Sequence, residues 1–301
     1  MIDTIKFTIR EKHAKIWRLN INPERQADTN TFSGHCKNLR INESLNGVTI
    51  QGSIAKYYNG DNITNFSRHD YKKALEQLEQ ETGLNLQEAI LQRVDFAHTV
   101  IVKNPTMHYL DLFDEMGIYK MNTVRNKGLE SITYSTPTGA RAFCGYDKVK
   151  EMTDKKETIP ELYQGDNVLR LEYRIVRRAG IKKYLGKGQD ISPHDLTDKE
   201  TYNELKKQSI NFYNSIPKVG RLVFLDGAKE VTPKNYNDTL AEYCRQMNPE
   251  SSKLFLQDMK SRGLISQPNY ERIKAQEKKN LRNYTFTDTN ILIAELDDKI
   301  R

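Results

Sequence analysis

The segment NVLRLEYRIVRR, residues 167–178, constrains this chain most. Leu169, Leu171, Tyr173 and Ile175 alternate strictly with Arg170, Glu172 and Arg174. A period of two places successive side chains on opposite faces of a strand, with the apolar set toward a core. Strands with one apolar and one polar face belong to antiparallel sheets. DTIKFTI, KIWRLNI, LRINES, VTIQGSIAKYY and LQRVDFAHTVIV repeat the strand signal. SLNG before VTIQ reads as a tight hairpin turn, and TPTG joins LESITYS to ARAFCGYDKVK as a second hairpin.

Helices interrupt these strands. HDYKKALEQLEQETG puts Ala74, Leu75 and Leu78 on one side and ends at Gly83. MHYLDLFDEMG reads as a second helix ended by glycine. After about residue 190, KETYNELKKQSINFYNSI, YNDTLAEYCRQM, ESSKLFLQDMKSRG, QPNYERIKAQEKKNL and DTNILIAELDDK are helical in period, with only RLVFL strand-like between them. The expected fold is therefore α+β. A central antiparallel sheet with flanking helices spans 1–190, and a mostly helical domain for DNA or partner binding spans 191–301. Residues 250–280 fit a helix-turn-helix, as would any two short helices.

With 301 residues, 37% of them hydrophobic, the chain can bury its own core. No run approaches the roughly 18–20 apolar residues that span a bilayer, so no membrane partner is expected. The start, MIDTIKFTIREK, lacks the basic-then-apolar order of a signal peptide, and the expected location is the cytoplasm. Cys36, Cys144 and Cys244 form neither a disulfide framework nor a zinc pattern. His35 and Cys36 are adjacent but have no matching second pair. The formal net charge of +7 favours a polyanionic partner, since binding releases condensed counterions.

Three strands offer chemistry. In QRVDFAHTV, Arg93, Asp95 and Ala97 oppose Val94, Phe96 and His98. In RAFCGYDKVK, a strand places Ala142, Cys144, Tyr146 and Lys148 on one face. If the polar faces share a sheet surface, Asp95, Glu172, Tyr146 and Lys148 converge. Their hard oxygen donors suit Mg²⁺ or Mn²⁺, and a metal beside a tyrosine and basic residues suits phosphoryl transfer. The same residues also read as a packing tyrosine and a salt-bridged sheet surface, with Glu172 between two arginines. Arg170 and Arg174 are candidate DNA contacts on that face. In GSIAKYYNGDNIT, Lys56 and its tyrosines could hold a phosphate and stack a base, or form an ordinary strand ending in an Asn-Gly turn. RRAGIKKYLGKG, residues 177–188, contains Arg177, Arg178, Lys182, Lys183 and Lys187 and no acid. It reads as a solvated basic loop or a nucleic-acid contact.

MID, GSIAKYYNGDN, RVDF, YDKVKE and LRLEYRI, in that order over roughly residues 1–180, resemble phage and plasmid replication proteins of the filamentous-phage gene II/X type. The resemblance implies a rolling-circle initiator whose tyrosine attacks one origin strand, keeps the 5′ end covalently, leaves a 3′-OH and later religates. It assigns the nucleophile to Tyr146, includes Lys148 and Glu151 in the same segment, and puts Asp95 and Glu172 at the acidic positions as metal ligands. Implied partners are origin DNA, duplex and single-stranded, with a host helicase and polymerase. A relaxase or transposase using the same chemistry, and a DNA-binding replication protein without catalysis, are the rival readings.

Overall fold

The computed structural model describes residues 1–10, 24–25, 32–44, 47–125, 129–219, 222–224, 236–247, 249–283 and 286–300. The first elements are β1 (Ile2–Arg10), β2 (Glu24–Arg25), β3 (Phe32–Cys36), β4 (Leu39–Ser44), β5 (Gly47–Ser53), α1 (Ile54–Asn59) and α2 (Arg68–Thr82). Then come β6 (Ala89–Val102), α3 (Thr106–Leu110), β7 (Lys120–Arg125), β8 (Leu129–Ser135), β9 (Arg141–Asp147), α4 (Lys148–Asp154), β10 (Asn167–Ile175), α5 (Arg178–Tyr184) and α6 (Lys199–Ser215). The last are β11 (Leu222–Phe224), α7 (Tyr236–Met247), α8 (Pro249–Ser261), α9 (Gln267–Asn283), β12 (Phe286–Asp288) and α10 (Thr289–Ile300).

Among the described residues, ten strands form one sheet in the order β2-β3-β4-β5-β1-β6-β10-β9-β8-β7. Every neighbouring pair is antiparallel, so the α+β fold with a central antiparallel sheet stands. One sheet face is apolar. Ile5, Phe7, Ile9, Val94, Phe96, Phe143, Leu171 and Tyr173 on it are buried. Phe212 of α6 stacks on Phe143 at 5.6 Å and tilts against Tyr173 at the same centroid distance, which anchors that helix to the sheet. His98 lies on this face, within 2.7 Å of the Ser209 hydroxyl. The opposite face carries the polar side chains of the same strands.

The chain divides into two compact units, Met1–Pro217 with Lys299–Arg301, and Lys218–Asp298. The first unit thus runs past the expected 190/191 boundary, because α6 packs into the sheet core. In the second unit α8 and α9 are separate helices with Gly263 in the left-handed region between them, φ 69°. β11 and β12 pair antiparallel there.

Local chemistry explains where expected strands end. VTIQGSIAKYY is not strand throughout. Ser53 caps α1 by accepting from the Lys56 amide, and Gly60 closes it at φ 87°. MHYLDLFDEMG is helical only over Thr106–Leu110. Lys148 does not continue β9. Asp147 accepts from the Lys150 amide as the N-cap of α4, so Lys148 is the first helical residue. Gly47 opens β5 with φ 121°, and a Cβ there would lie 2.0 Å from the Ile9 carbonyl oxygen. KIWRLNI, and Leu45 and Asn46 of the SLNG turn, lie outside the described residues.

Candidate active site

Three central strands bring the polar candidates together. Register places Arg174 opposite Asp95 and Ala142, Glu172 opposite Ala97 and Cys144, and Arg170 opposite Thr99 and Tyr146. Directly opposed residues share a face, so Asp95, Glu172, Arg170, Arg174 and Tyr146 all point the same way. They meet beside a cleft of about 580 Å³ that is also lined by Asp3, Lys56, Lys148 and Glu151.

Tyr146 donates its hydroxyl hydrogen to Glu172 Oε1 at 2.6 Å. Burial and the adjacent Glu172 carboxylate push the phenol well above its ordinary range, so the hydroxyl holds its proton. Glu172 itself is almost fully buried. Burial alone would raise its pKa, but Arg170, Arg174 and the Tyr146 hydrogen bond outweigh it and bring the carboxyl down to about 2. Arg170 Nε lies 2.8 Å from Glu172 Oε1, and Arg174 Nη2 lies 2.5 Å from Oε2. Asp95 goes the other way. Burial dominates and raises it to about 6, although Arg93 binds both its oxygens at 2.9 and 2.6 Å. The two acids share a cation, since Arg174 Nε also approaches Asp95 Oδ2 at 3.6 Å.

Arg170 is fully buried. It pairs with Asp3 Oδ2 at 2.7 Å and donates to the Asn62 carbonyl at 2.5 Å and the Thr99 hydroxyl at 3.0 Å. The expected DNA contact at Arg170 is therefore not available at the surface. This guanidinium organises the site from beneath. Lys148 is equally buried and pairs with Glu151 Oε2 at 2.6 Å. Burial, followed by the Arg170 charge, lowers its pKa. Glu151 also meets Lys155, and Lys56 meets Glu157 at 2.6 Å.

The basic segment does not join this cleft. Arg178 and Lys182 pair with Asp190, while Arg177, Lys183 and Lys187 are exposed. Arg141 lies 4.2 Å from the Tyr184 ring of α5. Arg141 and Tyr146 alternate to opposite faces of β9, so α5 meets the side away from the tyrosine.

Asp3 is the site residue that no sequence pattern assigned. It is buried, accepts from Ser53 and from Asn62 Nδ2 at 3.2 and 3.3 Å, and neutralises Arg170. Its only sequence signal was its place in MID.

The donor chemistry fits a hard divalent ion. Asp95 and Glu172 are two carboxylates that already share one cation, and the Arg174 side chain between them is 29% exposed and able to swing aside. Two carboxylates completed by water and substrate phosphate are an ordinary Mg²⁺ set. Among the described residues, no three His, Cys, Asp or Glu side chains form a ready-made metal cluster.

Residues 1–190 match the family described as replication-associated protein, gene II protein type, N-terminal. The chain belongs to that family. This is the group to which the ordered segments pointed, and the gene II-family region holds every residue of the tyrosine site. A solved rolling circle replication initiator protein from Geobacillus stearothermophilus aligns over 72% of this chain and 84% of its own, at 10% identity and a TM-score of 0.33. No curated protein matches the chain. Among the described residues, no helix is long and apolar enough to cross a membrane.

Proposed function

We propose that this gene II-family protein initiates rolling-circle replication by nicking one strand of origin DNA with Tyr146. The observation that carries this is the 2.6 Å hydrogen bond from Tyr146 to Glu172 on a cleft-lining sheet face. A packing tyrosine needs only a satisfied hydroxyl. This one faces open space beside a buried carboxylate and several cations.

In the proposed step the Tyr146 oxygen bonds to the phosphorus of the scissile phosphate. The bond from phosphorus to the 3′ oxygen breaks, and the tyrosine proton passes to Glu172. The 3′ oxygen leaves as a hydroxyl after taking a proton from solvent or the site. The 5′ phosphate stays on the tyrosine, which conserves the bond for later religation. A free phenol is a weak nucleophile near neutral pH, and here it is weaker still. Proton transfer must accompany attack, and Glu172 is in reach to accept. Arg174 and Lys148 are placed to offset charge on the phosphate. Mg²⁺ or Mn²⁺, held by Asp95 and Glu172, would polarise a non-bridging phosphate oxygen. Glu151 keeps Lys148 protonated and placed.

DNA binding extends beyond the chemistry. Lys56 and Arg174 line the cleft, and Arg177, Arg178, Lys182, Lys183 and Lys187 form a separate basic surface suited to backbone contact. The Lys218–Asp298 unit, with its α8–α9 helix pair, is assigned to duplex or partner binding. A host helicase and polymerase would act on the 3′ end so produced, in the cytoplasm.

The test is conversion of a supercoiled plasmid carrying the cognate origin to an open circle, with Mg²⁺ and with chelator. Site-specific nicking with Mg²⁺ supports the proposal. Retained duplex binding with no nicking under either condition would leave a non-catalytic replication protein.

A further inference from the structure

The sheet face that carries Tyr146 continues past the cleft across five strands. Register places His35 opposite Arg40, Arg40 opposite Gln51, Gln51 opposite Lys6, and Lys6 opposite Arg93. Opposed residues point to one face. These five side chains therefore form a single row over β3, β4, β5, β1 and β6. At ~4.8 Å per strand the row is ~19 Å long. Beside it Asn42, Thr49 and Thr8 form a second row by the same registers, with the two threonine hydroxyls 2.9 Å apart.

Neither row contains an acid. The intervening positions Ile5, Phe7, Leu39, Ile41, Val48 and Ile50 are buried on the other face, so this polar face is the outer one. His35 and Arg40 are exposed, and Lys6 and Gln51 are half-buried. Lys6 and Arg40 form no ion pair with a described side chain, in contrast to the cations of the cleft. Arg93 ends the row and lines the cleft, where it holds Asp95 at 2.6 Å.

We propose that this row is a track for a single DNA strand leading to Tyr146, an inference that rests on the nicking role only for where the strand ends. Charge and continuity both point to it. Lys6, Arg40 and Arg93 supply phosphate partners, while Gln51, Asn42 and the threonines supply hydrogen bonds that any base or sugar can use. A row one side chain wide follows one backbone rather than two. His35 at the far end offers a ring for stacking. Affinity along such a track is independent of sequence and depends on salt.

The test is fluorescence anisotropy of the full chain with a labelled oligothymidylate of about twelve nucleotides, within the site size of sheet-based single-strand binders. A duplex of equal length is the second probe. Lys6→Ala with Arg40→Ala should weaken single-strand binding about tenfold at low salt. It should also lower the salt slope by about 1.4, at ~0.7 per lost phosphate contact. Duplex affinity should fall less. Thermal melting checks the fold, and Lys6→Gln with Arg40→Gln serves if the alanine pair melts early. Unchanged single-strand affinity and slope, a larger loss on the duplex, or no oligothymidylate binding by the parent would each overturn the track. A parent that binds through the row but never nicks origin DNA would leave the track standing and remove the nuclease reading alone.

Discussion

Tyr146 and Glu172 are joined by a 2.6 Å hydrogen bond in which the phenol donates and the buried carboxylate accepts. Glu172 also receives two guanidinium groups, from Arg170 and Arg174. Glu172→Gln keeps the shape and removes the charge. Nicking should fall by about 10²-fold or more, the usual worth of a positioned proton acceptor. The fold should lose roughly 3 kcal/mol, because two arginines keep their burial and lose an anion. Urea titration with a parallel single-turnover assay separates the two. Unchanged nicking in a folded variant would take the proton-acceptor role away from Glu172.

Arg170 should behave as a structural residue. Asp3 and Glu172 both depend on it, and it has no exposed surface. Arg170→Ala should cost about 3–5 kcal/mol, the range for breaking a buried pair. Arg170→Lys should recover only part of this, since an ammonium cannot reach all four partners in the guanidinium geometry. A variant of near-native stability that loses DNA affinity would restore the surface role expected from the alternation of β10.

The opposite shifts of Asp95 and Glu172 predict opposite pH behaviour. Glu172 falls from 4.5 to about 2, so its contribution to stability is present above pH 4.5 and is lost as pH drops toward 2. Asp95 rises from 3.8 to about 6, so the fold holds its proton more tightly than the unfolded chain. Its contribution therefore declines as pH rises from about 4 to 6. Denaturation measured across pH should show the penalty of Asp95→Asn shrinking between pH 4 and 6. The penalty of Glu172→Gln should grow between pH 2 and 4.5. Parallel trends for both would contradict the assigned environments.

Gly145 sets the backbone next to the nucleophile. A Cβ there would meet Leu110 and Leu171 at 3.0 Å and Ile132 at 3.1 Å. Gly145→Ala should destabilise by about 1–3 kcal/mol through overpacking. It should also slow nicking by displacing Tyr146, with DNA affinity preserved. Equal melting temperatures for variant and parent would show that the neighbouring side chains yield freely.

The strict alternation of β10 was enough to place the antiparallel sheet and to separate Arg170, Glu172 and Arg174 from the core face. It could not show that Arg170 is buried, because the covering partners are Asp3 on β1, Asn62 after α1 and Thr99 on β6. Such long-range pairing leaves no trace in a local window. Lys148 was legible in principle. An aspartate directly before KVKE is a helix-cap signal, and Asp147 uses it to end β9. Ser53 before IAKYY is the same signal. The chemistry of RRAGIKKYLGKG was visible as charge, but its position behind β9 depends on packing of Arg141 against Tyr184.

The central claim is that Tyr146 becomes covalently linked to DNA. Parent and Tyr146→Phe proteins are incubated with a labelled single-stranded oligonucleotide spanning the cognate origin nick site, then digested and mapped. The substitution removes one hydroxyl, so packing and DNA binding should persist. The account predicts label on a peptide containing residues 143–152 in the parent and no adduct in Tyr146→Phe. Adduct formation by Tyr146→Phe, or label on another tyrosine such as Tyr134, would contradict it.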